Sequence, residues 1–192
     1  MKNIIFIGML LLPYLSVSGC AHYVEFKSPD AYQYDSTIPV KVAFYMDKSL
    51  KDKMYYGRAA SSGIANRWDV PVGKTVYEYA ISYLKNGFTS FTEIDSTVQN
   101  SGYDFLIKLS DINYYMEGQA AHCDLTFSIE DLTGKEVFNK KYHSDGPSGY
   151  GRVLAGGAFA QKSAIRQSTN VVLETIFKNL VSDIQANYNT WK

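Results

Sequence analysis

Residues 120–130 read AAHCDLTFSIE, a pattern with a period of two. Ala121, Cys123, Leu125, Phe127 and Ile129 fall on one side, and His122, Asp124, Thr126, Ser128 and Glu130 on the other. Successive side chains of an extended chain point to opposite faces, so this stretch makes a strand with one dry face and one wet face. DLTGK (131–135) follows, with Gly134 placed to supply the positive φ of a bulged hairpin turn, and EVFNKKYHS (136–144) returns beside it. A sheet with a single wet face needs helices over the other, and the rest of the chain offers two.

The first spans about Lys74 to Asn86. At 100° per residue Val76, Tyr77, Ala80, Ile81 and Leu84 make one apolar arc, flanked by Tyr79 and Tyr83, with Lys74, Glu78, Ser82 and Lys85 opposite. Gly87 is placed for a left-handed cap, with Phe88 folding back on the helix. The second helix runs from Ala158 to the end, with Ile165, Thr169, Val172, Ile176, Leu180, Ile184 and Tyr188 at spacings of three and four. VKVAFYMD (40–47) is a strand with Val40, Val42, Phe44 and Met46 on one face. SFTEIDST (90–97) and YDFLIKLSDINYYM (103–116) are extended as well. The order β-α-β-β-β-β-α predicts an α+β fold, an antiparallel sheet of four to five strands with both helices packed on one face. Residues 48–73 read as a long irregular loop, and DGPSGYGRVLAGGAF (145–159) as a glycine-rich flexible link.

The N-terminus has a different character. Lys2, the apolar run IIFIGMLLLPYL and the small residues SVSG follow the order of a secretory signal, too short for a membrane span. Val17-Ser18-Gly19-Cys20 resembles the lipobox of bacterial lipoproteins. That resemblance implies a signal peptide over 1–19, a diacylglycerol on the Cys20 thiol and cleavage before it, with acyl chains such as palmitate holding the chain to a membrane. Ala21 in place of aspartate implies sorting to the outer membrane, facing the periplasm. Residues 20–38 carry Pro29 and no sustained period, and read as a lipidated tether, about 60 Å long at full stretch. Residues 39–192 then form a single domain.

Nineteen Lys and Arg balance nineteen Asp and Glu, with no basic block, which argues against a nucleic-acid partner. Cys123 is the one other cysteine, expected as a small buried hydrophobe. Sixteen tyrosines suit a core with some left as exposed contact residues.

The chemical motifs fail on their context. PVGKT (71–75) ends like a phosphate loop, but Trp68 stands where the first glycine belongs and no strand precedes it. GYGRVLAGG lacks the third glycine of a dinucleotide loop, since Leu154 takes that place. SYLK (82–85) has the spacing of an acyl-enzyme serine and lysine, but HSDG and GKTV do not complete the set. His122 and Cys123 point to opposite faces and cannot share a metal. His122 and His143 come opposite each other in one hairpin register, which also pairs Phe127 with Phe138 and Asp124 with Lys141. The register of the bulged turn sets His143 across from Cys123 instead. A triad of His143, Asp145 and a serine lacks a nucleophile elbow. No metal, cofactor or enzymatic activity is expected.

The segment from Tyr103 to about Tyr188 resembles the YajG-type family of small bacterial lipoproteins. The matching features are INYYMEG (112–118), the alternating strand, the short glycine turn, and GGAF (156–159) opening a long helix. The layout is also similar to LptE and to auxiliary lipoproteins of envelope ABC systems. The resemblance implies a non-enzymatic accessory subunit of an envelope complex, or a lipid- or glycan-binding subunit in outer-membrane assembly. Oligomeric state is not encoded in any pattern. An envelope protein is the expected partner, and the candidate contact residues are Tyr55, Tyr56, Arg58, Trp68, Tyr150 and Arg152, aromatic and arginine types in two irregular segments.

Overall fold

The structure is a computed structural model and describes residues 20–58, 66–97 and 102–191. The leader expected over 1–19 lies outside the described residues. Two sheets and three helices make an α+β fold.

The larger sheet has five strands, in the order β5 (Phe88–Ile94), β2 (Ile38–Met46), β6 (Phe105–Glu117), β7 (Ala120–Asp131) and β8 (Glu136–Asp145). It is mixed, where the sequence suggested an antiparallel one. β6, β7 and β8 form an antiparallel meander, but β2 runs parallel to both of its neighbours. The reason is visible in the chain order: helix α2 (Val72–Leu84) lies between β2 and β5 and carries the chain back to its starting end, so the two strands run the same way. β6 runs parallel to β2 as well, and the Asp104 amide donates to Lys41 O at 2.7 Å where the chain re-enters the sheet.

Helix α3 (Tyr150–Asn187) packs across β7 and β8 and against α2, and one core joins both long helices to the inner face of the sheet. Val40, Val42, Phe44 and Met46 enter it from β2, and Cys123, Leu125, Phe127 and Ile129 from β7. Phe177, fully buried, meets Phe127 edge-on at 5.7 Å and stacks with Tyr83 at 6.1 Å. On α2 the buried arc is turned toward Tyr79 and Tyr83, leaving Tyr77 and Ile81 half-buried. Gly87 stays out of the left-handed region, its amide donating to Leu84 O at 3.1 Å. Gly134 does take positive φ, +80°, and Asp131 holds the turn through Oδ1, which accepts from the Thr133 amide at 2.8 Å.

Three segments read as irregular carry regular structure or packing among their described residues. Residues 48–73 contain a short helix α1 (Lys48–Lys51), a strand β3 (Tyr55–Gly57), a strand β4 (Asn66–Val70) and the start of α2. The glycine-rich link is helical from Tyr150 on, taking Gly151, Gly156 and Gly157 into α3. Each helical glycine costs about 1 kcal/mol against alanine, so propensity hides this stretch. The bonds that hold its entry are long-range: the Gly146 amide to Ala121 O at 2.8 Å and the Gly149 amide to Gln119 O at 3.0 Å.

Residues 20–38, read as a free tether, lie on the domain. β1 (Cys20–Tyr23) pairs parallel with β4, and β4 pairs antiparallel with β3, making the smaller sheet in the order β1-β4-β3. Val24 is fully buried and donates its amide to Asp69 O at 2.9 Å. Further on, the Tyr32 ring stacks on Tyr83 at 4.8 Å and its amide donates to Ser82 O at 3.0 Å. A strand of four residues and scattered aromatics leave no periodic trace, so burial there is invisible to a pattern reading.

Candidate functional site

The smaller sheet gathers three of the residues expected to make contacts, Tyr55, Tyr56 and Trp68, and its register sorts them. Ala21 pairs with Arg67, His22 with Trp68, and Tyr23 with Asp69. On the other side Tyr55 pairs with Val70, Tyr56 with Asp69, and Gly57 with Trp68. Directly paired residues share a face. His22, Trp68, Val70 and Tyr55 therefore point inward, and Ala21, Tyr23, Arg67, Asp69 and Tyr56 point outward.

Burial agrees. Trp68 is 3% exposed, its ring 4.9 Å from that of His22, and Tyr55 meets Tyr114 edge-on at 5.2 Å. Trp68 is thus a core residue and not a contact residue, and Tyr55 serves chiefly to seat the small sheet on β6. Tyr56, 61% exposed, and Arg58 remain outside. Tyr150 and Arg152 belong to the first turn of α3, and their side chains lie outside the described residues. The Cys20 backbone opens β1, paired with Asn66.

Two residues of this surface were missed. Tyr23, 48% exposed, stands across Asp69 from Tyr56. Arg67 has its guanidinium carbon 5.4 Å from the Tyr56 ring centre, while Nε donates to Asp69 Oδ1 at 2.9 Å. The clue was the alternation in NRWDV (66–70), too short to stand out inside an apparent loop.

A second arrangement was half foreseen. The β7–β8 hairpin carries a bulge between Ile129 and Glu130, so the register differs from both expected ones. Asp124 pairs with His143 and His122 with Asp145. The parity leaves all four on the wet face, each imidazole opposite a carboxylate. His143 Nδ1 lies 2.7 Å from Asp124 Oδ1 and its Nε2 3.1 Å from Asp145 Oδ1. Asp145 Oδ1 also meets His122 Nδ1, and the His122 ring stacks on Tyr115 at 4.7 Å. Lys141 Nζ and Asn113 Nδ2 complete the shell of Asp124 at 2.9 and 3.0 Å.

The electrostatics follow. Burial raises the Asp124 pKa, but the hydrogen bonds from Lys141, Asn113 and His143 outweigh it and hold the carboxyl down to about 2. Asp124, and after it Asp145, push His143 above its ordinary value. Both His143 nitrogens face carboxylates, so neither is left to take a proton from a serine. Among the described residues no group of three or more His, Cys, Asp or Glu is placed to hold a metal ion.

The other motifs are occupied by structure. A side chain at Gly73 would run into the Leu50 and Lys51 carbonyls, and its amide donates to Lys53 O at 2.8 Å, so backbone oxygen fills the place a phosphate would need. Ser82 Oγ donates to Asp30 O, and Lys85 is exposed. Burial pushes the Cys123 thiol up to about 12, far from a reactive thiolate.

No protein-family model matches the chain, and no curated protein matches it. Among solved structures it is similar to an uncharacterized protein at 10% identity, covering 85% of this chain and 97% of that one, with a TM-score of 0.47. It is also similar to the hypothetical protein CT253 of Chlamydia trachomatis, at 10% identity over 77% and 96% of the two chains and a TM-score of 0.44. A PelC variant from Paraburkholderia phytofirmans, solved as a dodecamer, matches at 14% identity over 74% and 95%, with a TM-score of 0.37. Likenesses of this size carry no functional information.

Proposed function

We propose that the chain is a lipoprotein anchored in the outer membrane through Cys20, facing the periplasm and acting as a non-enzymatic binding subunit of an envelope complex. The observation that carries this reading is the box Val17-Ser18-Gly19-Cys20, whose cysteine opens β1. Among the described residues no helix is long and apolar enough to cross a membrane. A non-catalytic role is supported by the state of the nucleophiles and bases: Cys123 is buried as a thiol, Ser82 is spent on a carbonyl, and His143 is held between two carboxylates.

Replacing the anchoring sulfur tests the first half. Cys20→Ser is expected to lose the acyl mass, keep its leader and leave the acylated envelope fraction. If the variant matches the parent in mass, processing and fractionation, the reading is wrong. Crosslinking in intact cells and capture of the full-length protein tests the second half, with a reproducible envelope protein as the expected product and none as the contrary result.

A further inference from the structure

Strand β1 ties Cys20 to the domain. Its backbone pairs with Asn66, its neighbour Ala21 with Arg67, and three residues later Tyr23 pairs with Asp69. At 3.3 Å per residue, Tyr23 is roughly 10 Å from Cys20. The burial of Val24 closes off any slack on the far side. Acyl chains on Cys20 would therefore bring the outer face of the small sheet down to the lipid, with no coil between them.

That face has the chemistry of a membrane interface. Tyr23 and Tyr56 flank Asp69, each an apolar ring with a polar tip, the type that settles among headgroups. Arg67 lies two pairs closer to Cys20, and Arg58 follows Gly57 directly at the same end of the sheet. Guanidinium groups match phosphate oxygens in a bidentate fork. Two arginines against one aspartate leave the face cationic.

We propose that the outer face of the β1-β4-β3 sheet lies flat on the bilayer that Cys20 enters, with Tyr23 and Tyr56 at headgroup depth and Arg58 and Arg67 on lipid phosphates. The proposal rests on the lipidation of Cys20 and goes beyond it: the anchor sets which way the whole domain faces. It assigns Tyr56 and Arg58 to the membrane instead of a protein partner.

The test uses the full-length protein reconstituted in vesicles of phosphatidylethanolamine and phosphatidylglycerol. Spin labels are attached at Tyr56→Cys and, separately, at Leu132→Cys. Cys123 is fully buried and stays unlabelled. Leu132 is 55% exposed at the far end of the meander. The span of β6 from Tyr114, beside the small sheet, to Phe105, level with that turn, is roughly 30 Å. A nickel chelate carried on lipid should relax the label at 56 and spare that at 132, and a water-soluble chelate the reverse.

Arg58→Gln with Arg67→Gln should lower the ratio of docked to undocked protein at low salt by about fivefold per arginine, roughly 30-fold together. The orientation is overturned if both labels respond alike to the aqueous agent, or if the label at 56 is shielded from both agents. The intact mass is read first. An unmodified Cys20 sinks the lipoprotein reading and this orientation with it, whereas an acylated Cys20 with a water-facing label at 56 sinks the orientation alone.

Discussion

The two sheets are held by different means. The five-stranded sheet has a deep apolar face under two long helices, with Phe44, Phe127 and Phe177 fully buried between them. The three-stranded sheet has strands of three to five residues and leans on the larger one through Tyr55, Trp68, Val70 and Val24. The first carries stability. The second leaves Tyr23, Tyr56 and Arg67 exposed on its outer face. The candidate contact residues thus lie where the fold can spare them, on a sheet small enough to have little core of its own.

This contrast can be broken by mutation. Phe177→Ala empties the middle of the large core and is expected to cost about 3–5 kcal/mol, read as a lower urea midpoint with the slope unchanged. A much smaller loss would mean that the core does not rest on this ring. Val24→Ala removes two buried methyl groups from the small sheet, about 1–2 kcal/mol. The contrast is sharpened if amide exchange then quickens in β1 and β4 but not in β7. Equal quickening in all three would show one cooperative unit and no division of labour.

The smallest effect belongs to the wet face of the large sheet. Asp124→Asn should cost about 1 kcal/mol at most, because His143 and Lys141 are half exposed. The clearer readout is the imidazole titration by NMR, which should fall back toward the ordinary value of 6.5. His143 is raised in the fold, so its contribution is complete below 6.5 and fades as pH climbs through the raised value. Asp124 is held down, so its contribution is complete above 3.8 and fades as pH falls toward about 2. The Asp124–His143 pair therefore contributes in full only above 3.8 and below 6.5. A His143 titration unmoved by Asp124→Asn would show that the pair does not form.

Much of the large sheet was legible. The alternation around Cys123, the turn at Gly134 and the stripe from Ile165 to Ile184 all reappear, because each is a local pattern imposed by one buried face. The direction of β2 was not, although a helix between two strands of one sheet is itself a signal for parallel pairing. The His143–Asp124 pairing was missed by the width of one bulge: periodicity assigns a face, and only the ladder assigns a neighbour. At the candidate site Tyr56 and Arg58 are exposed, Trp68 is buried, and the exposed Tyr23 and Arg67 were not among the residues singled out. Strands this short hold no more than two turns of the alternation, so composition stood in for pattern and could not tell inside from outside.

Local chemistry alone settled the longest strands and helices, which of their faces shun water, and that one thiol follows an apolar N-terminal run. Those properties depend on near neighbours along the chain and survive any rearrangement of the whole. Which strands meet, in which direction and register, depends on residues far apart. The union of Cys20 with Asn66 joins segments separated by most of the first third of the chain. Only the folded molecule brings such partners together, because pairing energy belongs to two segments at once and is written in neither.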